Sequence, residues 1–143
     1  MFQRILVVCT GNICRSPIAE ALLKAGLPGK MVFSAGTMAM VGDEADPISI
    51  ELCAGHGLDI SAHRAQQLVQ PMLQAADLVL TLDQTHSQWI NRRYPQYHGK
   101  VHKLGKWLGD EDVPDPYRQP KALFRAVYGQ MDEQVAEWLA RIK

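Results

Sequence analysis

The sequence predicts an α/β fold: one domain of three layers, with a four-stranded parallel sheet carrying helices on both faces. Three observations predict it. Short apolar, β-branched runs alternate with longer helical stretches along the chain. The first run, Ile5-Leu6-Val7-Val8, passes through a glycine-containing loop straight into a helix start. A length of 143 residues suits one globular core, so residues 1–143 are read as a single domain.

The elements follow in order. Residues 5–8 are apolar at every position, as a strand buried on both faces requires. Pro17 sits where a first helical turn tolerates it, and Ala19, Glu20, Ala21, Leu22 and Leu23 favour helix. Residues 31–33 read as a second strand before a polar loop rich in Gly and Asp. Residues 47–56 read as a helix stopped by Gly57, and residues 69–75 as a short helix. Leu78-Val79-Leu80 gives a third strand. Asp83 or Thr85 caps a helix that runs to about Arg93, where Tyr94-Pro95 breaks it. Residues 100–104 make a modest fourth strand. Phe124, Val127, Tyr128, Met131, Val135, Trp138 and Leu139 recur at steps of three and four, the mark of an amphipathic final helix.

Fifteen basic residues balance fifteen acidic ones, which removes the electrostatic signature of a nucleic-acid binder. The N-terminal apolar run is too short for a membrane span and has the wrong layout for a signal peptide. Three cysteines, two of them close together at Cys9 and Cys14, make a poor disulfide framework and a better reactive site. A cytoplasmic protein without membrane insertion is expected.

The chemistry concentrates between the first strand and first helix, in Cys9-Thr10-Gly11-Asn12-Ile13-Cys14-Arg15-Ser16. A loop there aims several backbone N–H groups at one point, and the helix dipole adds positive potential, which suits a phosphate dianion. Cys9 opens the loop and Arg15 closes it, so a nucleophile and a planar two-pronged anion clamp share the cradle. A thiol attacks phosphorus as its thiolate, and a helix N-terminus with an adjacent cation favours that form. An isolated cysteine would more often be a small buried hydrophobe, and an isolated arginine a surface ion-pair partner. Cys, five residues and Arg, set between strand and helix, make that plain reading poor here. Dinucleotide and Walker-type phosphate loops are excluded, because the extra glycines and the lysine are missing.

The stretch Val8-Cys9-Thr10-Gly11-Asn12-Ile13-Cys14-Arg15-Ser16-Pro17 resembles the signature of the low-molecular-weight protein tyrosine phosphatases, and Asp115-Pro116-Tyr117 resembles their general-acid loop. Residues 2–17 and 114–118 are most similar to the bacterial branch associated with exopolysaccharide export. The resemblance implies hydrolysis of phosphotyrosine through a cysteinyl-phosphate on Cys9, with Arg15 clamping phosphate and Asp115 as general acid. It implies no metal and no organic cofactor, inorganic phosphate as product, and a bacterial tyrosine autokinase as protein substrate. It places Asn12, Ser16, Ser34 and His63 in a network supporting the loop, and Ile13, Met40 and Tyr117 around the aryl ring. Two departures stand out: Arg118 follows Tyr117 where many relatives have a second tyrosine, and Ala65-Gln66-Gln67 replaces Ala-Arg-Gln.

Asp-Pro by itself signals only a polar turn, so Asp115 gains its meaning from Cys9. Asp110, Glu111 and Asp112 read as a solvated stretch. Cys14, in the same loop as Cys9, offers a redox role by trapping an oxidised Cys9 as a disulfide. Cys53 reads as core. A thiol-dependent arsenate reductase is the first alternative, and a phosphate-binding module the second. The reductase needs a cysteine relay, for which only Cys53 remains beyond the loop; the module would not need Cys9, Arg15 and Asp115 together. The histidines form no metal-ligand cluster with the cysteines.

Overall fold

The computed structural model describes residues 2–142. Strands β1 (Arg4–Cys9), β2 (Met31–Gly36), β3 (Leu78–Thr81) and β4 (Val101–Lys103) form one sheet in the order β2-β1-β3-β4. Every neighbouring pair is parallel. The α/β fold with a four-stranded parallel sheet expected from the alternation is the fold observed.

β1 is central, which is why residues 5–8 are all apolar: each is fully buried. Successive side chains of a strand point to opposite faces. Ile5 and Val7 join a core built with α1 (Arg15–Gly26), α2 (Pro47–Gly55) and α5 (Lys121–Ile142). Leu6 and Val8 join a second core with α3 (Gln70–Ala75) and α4 (Gln84–Arg93) on the opposite face. Burying one such aliphatic side chain contributes about 1.5–3 kcal/mol, so a polar residue anywhere in this run would damage one core or the other. The periodic residues of α5 supply its buried stripe, and Trp138 Nε1 donates to the Leu104 carbonyl at 2.9 Å, tying that helix to the chain beyond β4.

Several boundaries differ from the sequence reading. β2 continues through Gly36, because Ser34 and Ala35 keep pairing with Val7 and Val8; Ser34 therefore lies in the sheet, not in the following loop. α1 begins at Arg15, ahead of Pro17. Asp83, not Thr85, caps α4: its side chain accepts from Thr85 N, while His86 Nδ1 accepts from Asp83 N at 3.1 Å. A 3-10 turn at Pro95–Lys100 shortens the last strand to Val101–Lys103. The parallel arrangement brings the carboxyl ends of all strands to one edge, where ligands bind in such folds. Gly36 marks that edge. A β-carbon there would collide with the Thr10 carbonyl oxygen, so the loop after β1 can lie against β2 only because residue 36 is glycine.

Candidate active site

The chain leaves β1 at Cys9, turns through residues 10–14, and enters α1 at Arg15. Asn12 adopts φ +61°, a left-handed conformation that asparagine tolerates better than most residues. Its side chain and backbone together hold the turn. Asn12 Oδ1 accepts from Gln66 N at 2.9 Å, which fixes the amide so that Nδ2 faces Ser16 Oγ (2.7 Å) and Ser34 Oγ (3.0 Å). His63 Nε2 lies 2.7 Å from the Asn12 carbonyl, and the Asn12 N–H points to Cys9 Sγ at 3.3 Å.

These contacts fix hydrogen-bond directions. Ser34 donates its one hydroxyl hydrogen to Glu20 Oε1 at 2.6 Å, so it must accept from Asn12. Asn12 spends its second amide hydrogen on Ser16, which leaves the Ser16 hydroxyl hydrogen free for Cys9 Sγ at 2.9 Å. The sulfur thus receives two donors, Ser16 O–H and Asn12 N–H, both placed to hold negative charge on it.

Arg15 is 2% exposed. Its Nη1 gives both hydrogens to protein, one to Asp83 Oδ2 at 2.7 Å and one to the Val113 carbonyl at 2.8 Å. Burial opposes ionisation of Asp83, but hydrogen bonds from Thr85 and Arg15 outweigh it and hold the carboxyl below its usual range. On the other side Nη2 lies 3.4 Å from Thr10 Oγ1 and 3.9 Å from Asp115 Oδ2. Among the described residues Nε has no protein hydrogen-bond partner. The edge carrying Nε–H and the second Nη2–H is therefore the pair of donors left for an anion.

Asp115 arrives on the segment between β4 and α5. Val113 anchors that segment twice, by its N–H to Leu82 O (2.8 Å) and by its carbonyl to Arg15. The Asp115 carboxylate accepts from Tyr117 N at 3.0 Å and is half-exposed at the mouth of the site. Arg118 follows at φ +61° with its guanidinium 5.2 Å from the centre of the Tyr117 ring.

One pocket is lined by Cys9, Thr10, Gly11, Ile13, Cys14, Arg15, Met38, Met40, Asp115 and Tyr117. The residues singled out in the sequence as nucleophile, clamp, acid and walls thus share one cavity, and Asn12, Ser16, Ser34 and His63 pack behind it. Cys14 is buried, with its sulfur 3.9 Å from Asp46 Oδ2; burial first and that carboxylate second push its thiol well above the ordinary range. Cys53 is a fully buried core residue, as read. Asp110 and Asp112 are exposed but not idle: both pair with Lys103, at 3.3 and 3.0 Å, and Asp112 also accepts from Gln84 N.

Sequence reasoning missed Glu20, His86, Met38 and the pairing of Asp83 with Arg15. Glu20 had a usable signal, since it stands four residues after Ser16 on α1 and so faces the same way. Asp83 and His86 carried only the signature of a helix cap. The Gln66-Gln67 departure proves to be structural: Gln66 Nε2 donates to Ser34 O and Gln67 Nε2 to Thr37 O, holding β2 to the following chain at 2.9 and 2.8 Å.

A cradle of this kind, at the carboxyl edge of a parallel sheet with a thiol and a guanidinium facing one cavity, is that of a phosphate-handling enzyme. The family model described as low molecular weight phosphotyrosine protein phosphatase matches residues 4–143. The probable low molecular weight protein-tyrosine-phosphatase EpsP of Ralstonia nicotianae is 46% identical over 143 residues, covering 100% of this chain and 98% of that protein. The crystal structure of the tyrosine phosphatase Wzb from Escherichia coli K30 with sulphate superposes with a TM-score of 0.96 at 38% identity, covering 100% of both chains. A YwlE arginine phosphatase from Geobacillus stearothermophilus is also similar, with a TM-score of 0.92 at 33% identity over 99% of this chain and 93% of its own. The chain belongs to the low molecular weight protein-tyrosine-phosphatase family, and with it to the phosphoric monoester hydrolases.

Proposed function

We propose that this enzyme hydrolyses phosphotyrosine in proteins through a cysteinyl-phosphate on Cys9. The observation that carries the reading is the convergence of Cys9, Arg15 and Asp115 on one pocket walled by Ile13, Met40 and Tyr117. The thiolate of Cys9 attacks phosphorus while the bond from phosphorus to the tyrosyl oxygen breaks. Asp115, as the carboxylic acid, gives that oxygen its proton. The Nε–Nη2 edge of Arg15 and the loop N–H groups hold the equatorial oxygens as charge spreads over them. Asp115, now a carboxylate, takes a proton from water; the water attacks phosphorus, the sulfur–phosphorus bond breaks, and inorganic phosphate leaves. Ser16 and Asn12 donate to the sulfur when it departs as thiolate. Every protein group in these steps belongs to this chain, and we read residues 1–143 as one phosphatase domain.

A bacterial tyrosine autokinase of exopolysaccharide production or export is the protein substrate we infer. That reading is supported by the relatives EpsP, AmsI and Wzb and by the motif resemblance. A kinase phosphorylated in the cytoplasm sets the phosphatase there too. Among the described residues no helix is long and apolar enough to cross a membrane.

The test is release of inorganic phosphate, with chelator and reductant present, from peptides carrying phosphotyrosine, phosphoserine or phosphoarginine. Release selective for phosphotyrosine and lost in Cys9→Ser, with the fold retained, is expected. Preference for phosphoarginine would transfer the activity of the YwlE neighbour to this chain. Absence of release from any of the three would turn attention to arsenate reduction.

A further inference from the structure

Thr10 and His86 lie behind the guanidinium of Arg15, and the reaction above uses neither. His86 is 1% exposed in the first turn of α4, and Thr10 follows Cys9 in the loop. The imidazole Nδ1 is 3.1 Å from the backbone nitrogen of Asp83. That N–H can only donate, and Asp83 Oδ1, 3.4 Å from the imidazole Nδ1, already accepts from the Thr85 N–H and O–H, so Nδ1 is the acceptor and carries no hydrogen. Burial holds His86 down to about 4, against the pull of Asp83 and with the push of Arg15, so the ring is neutral at pH 7. Its single hydrogen then sits on Nε2, which is 2.9 Å from Thr10 Oγ1 and must donate to it.

The consequence falls on Arg15. Its Nη2 is 3.5 Å from the same Nε2, but two donors form no bond, so the acceptor left on that side is Thr10 Oγ1 at 3.4 Å. The opposite tautomer would accept from Nη2 at Nε2 and draw the guanidinium back from the pocket. We propose that Thr10 and His86 are a positioning pair for Arg15. The Nε2–H tautomer makes the Thr10 hydroxyl oxygen the acceptor that turns the Nε–Nη2 edge of the guanidinium toward phosphate. The idea rests on the phosphatase reading for its consequence in catalysis, but not for its geometry.

Three measurements test it. Nitrogen-15 NMR of the wild type at pH 7 shows a neutral His86 imidazole protonated at Nε2; an Nδ1–H tautomer or an imidazolium overturns the proposal. Thr10→Val keeps the side-chain shape and removes the acceptor, and Thr10→Ser keeps the acceptor. Inorganic phosphate binding by calorimetry weakens about tenfold in Thr10→Val and stays within about twofold of wild type in Thr10→Ser, with kcat/KM on a phosphotyrosine peptide following. Thr10→Ala replaces Thr10→Val if the latter does not fold. A loss of thermal stability with unchanged phosphate affinity would make the pair merely structural and overturn the proposal. A wild type that binds phosphate but releases none from phosphotyrosine would sink the phosphatase reading instead, leaving the calorimetric comparison to judge this one.

Discussion

Asp83→Asn removes the carboxylate oxygen that faces Arg15, together with its charge. Asparagine keeps the shape but has one acceptor oxygen; kept on the Thr85 N–H it still caps α4, and the amide nitrogen, a donor, then faces Arg15 Nη1 in place of Oδ2. What disappears is a charge-assisted hydrogen bond of 2.7 Å to a guanidinium that is 2% exposed. Hydrogen bonds to charged groups contribute about 1.5–3 kcal/mol, and a loss of about that size is expected. The ~3–5 kcal/mol of a fully broken buried pair is not reached, because the Val113 carbonyl remains and Asp83 keeps 19% side-chain exposure. For a chain of this size each kcal/mol moves Tm by roughly 2–4 °C, so a fall of about 3–12 °C is expected at pH 7. The sign with pH follows from the depressed carboxyl of Asp83 in the folded state. Its stabilisation is complete above the unfolded value, about 3.9, and is lost as pH falls through the lower folded value. Calorimetry from pH 7 down to about 3 should therefore show the gap between wild type and variant closing at the acid end. A gap equally wide at both ends would refute the reasoning, because charge would then not be its source. Phosphate release from a phosphotyrosine peptide should fall about tenfold in kcat/KM as Arg15 loosens.

Asp115→Ala should lower kcat on phosphotyrosine by about a hundred- to ten-thousand-fold, and far less on an aryl phosphate with a good leaving group; equal losses on both would remove Asp115 as the acid. Gly36→Ala should fail to give folded, soluble protein or lose most of its thermal stability, since the new β-carbon meets the Thr10 carbonyl oxygen, a backbone atom that cannot step aside. Cys14→Ser should lose the fraction of activity that reductant restores after peroxide if, as we propose, the Cys14 thiol condenses with a Cys9 sulfenic acid to give a disulfide and water. Unchanged recovery in that variant would end the redox role of Cys14.

How much of the fold was legible depended on burial. β1 could be read from Ile5 to Val8 because a strand covered on both faces permits nothing polar, and α5 because its buried stripe repeats at helical spacing. The end of β2 was harder. Ser34 and Gly36 look like loop residues, yet Ser34 is held by Asn12 and Glu20, and Gly36 is demanded by the close approach of Thr10. Local composition describes a residue's neighbours in the chain. These two are explained by neighbours fourteen or more residues away.

The site divides in the same manner. Cys9 and Arg15 stood out because a thiol nucleophile and an anion clamp at that spacing, between strand and helix, have few other uses, and Asp115 stood out only through the resemblance of its loop. Glu20, Asp83 and His86 were not, since a glutamate on a helix and an aspartate at a helix cap are commonplace, and a histidine three residues later completes the same cap. Their meaning lies in the direction of hydrogen bonds, which depends on counting donors and acceptors in space. Glu20 can only accept, so Ser34 must donate to it, Asn12 to Ser34 and Ser16, and Ser16 to sulfur. Asp83 fixes the imidazole of His86 by the same count, from the opposite side of the loop. Cys9 and Arg15 are thus set by two separate chains, one ending at a carboxylate on α1 and the other at the cap of α4. A substitution in one chain should leave the geometry of the other intact, which makes the effects of Glu20→Gln and Thr10→Val on phosphate binding additive in free energy. Strong coupling between them would show that the loop, rather than the two chains, is the unit that responds.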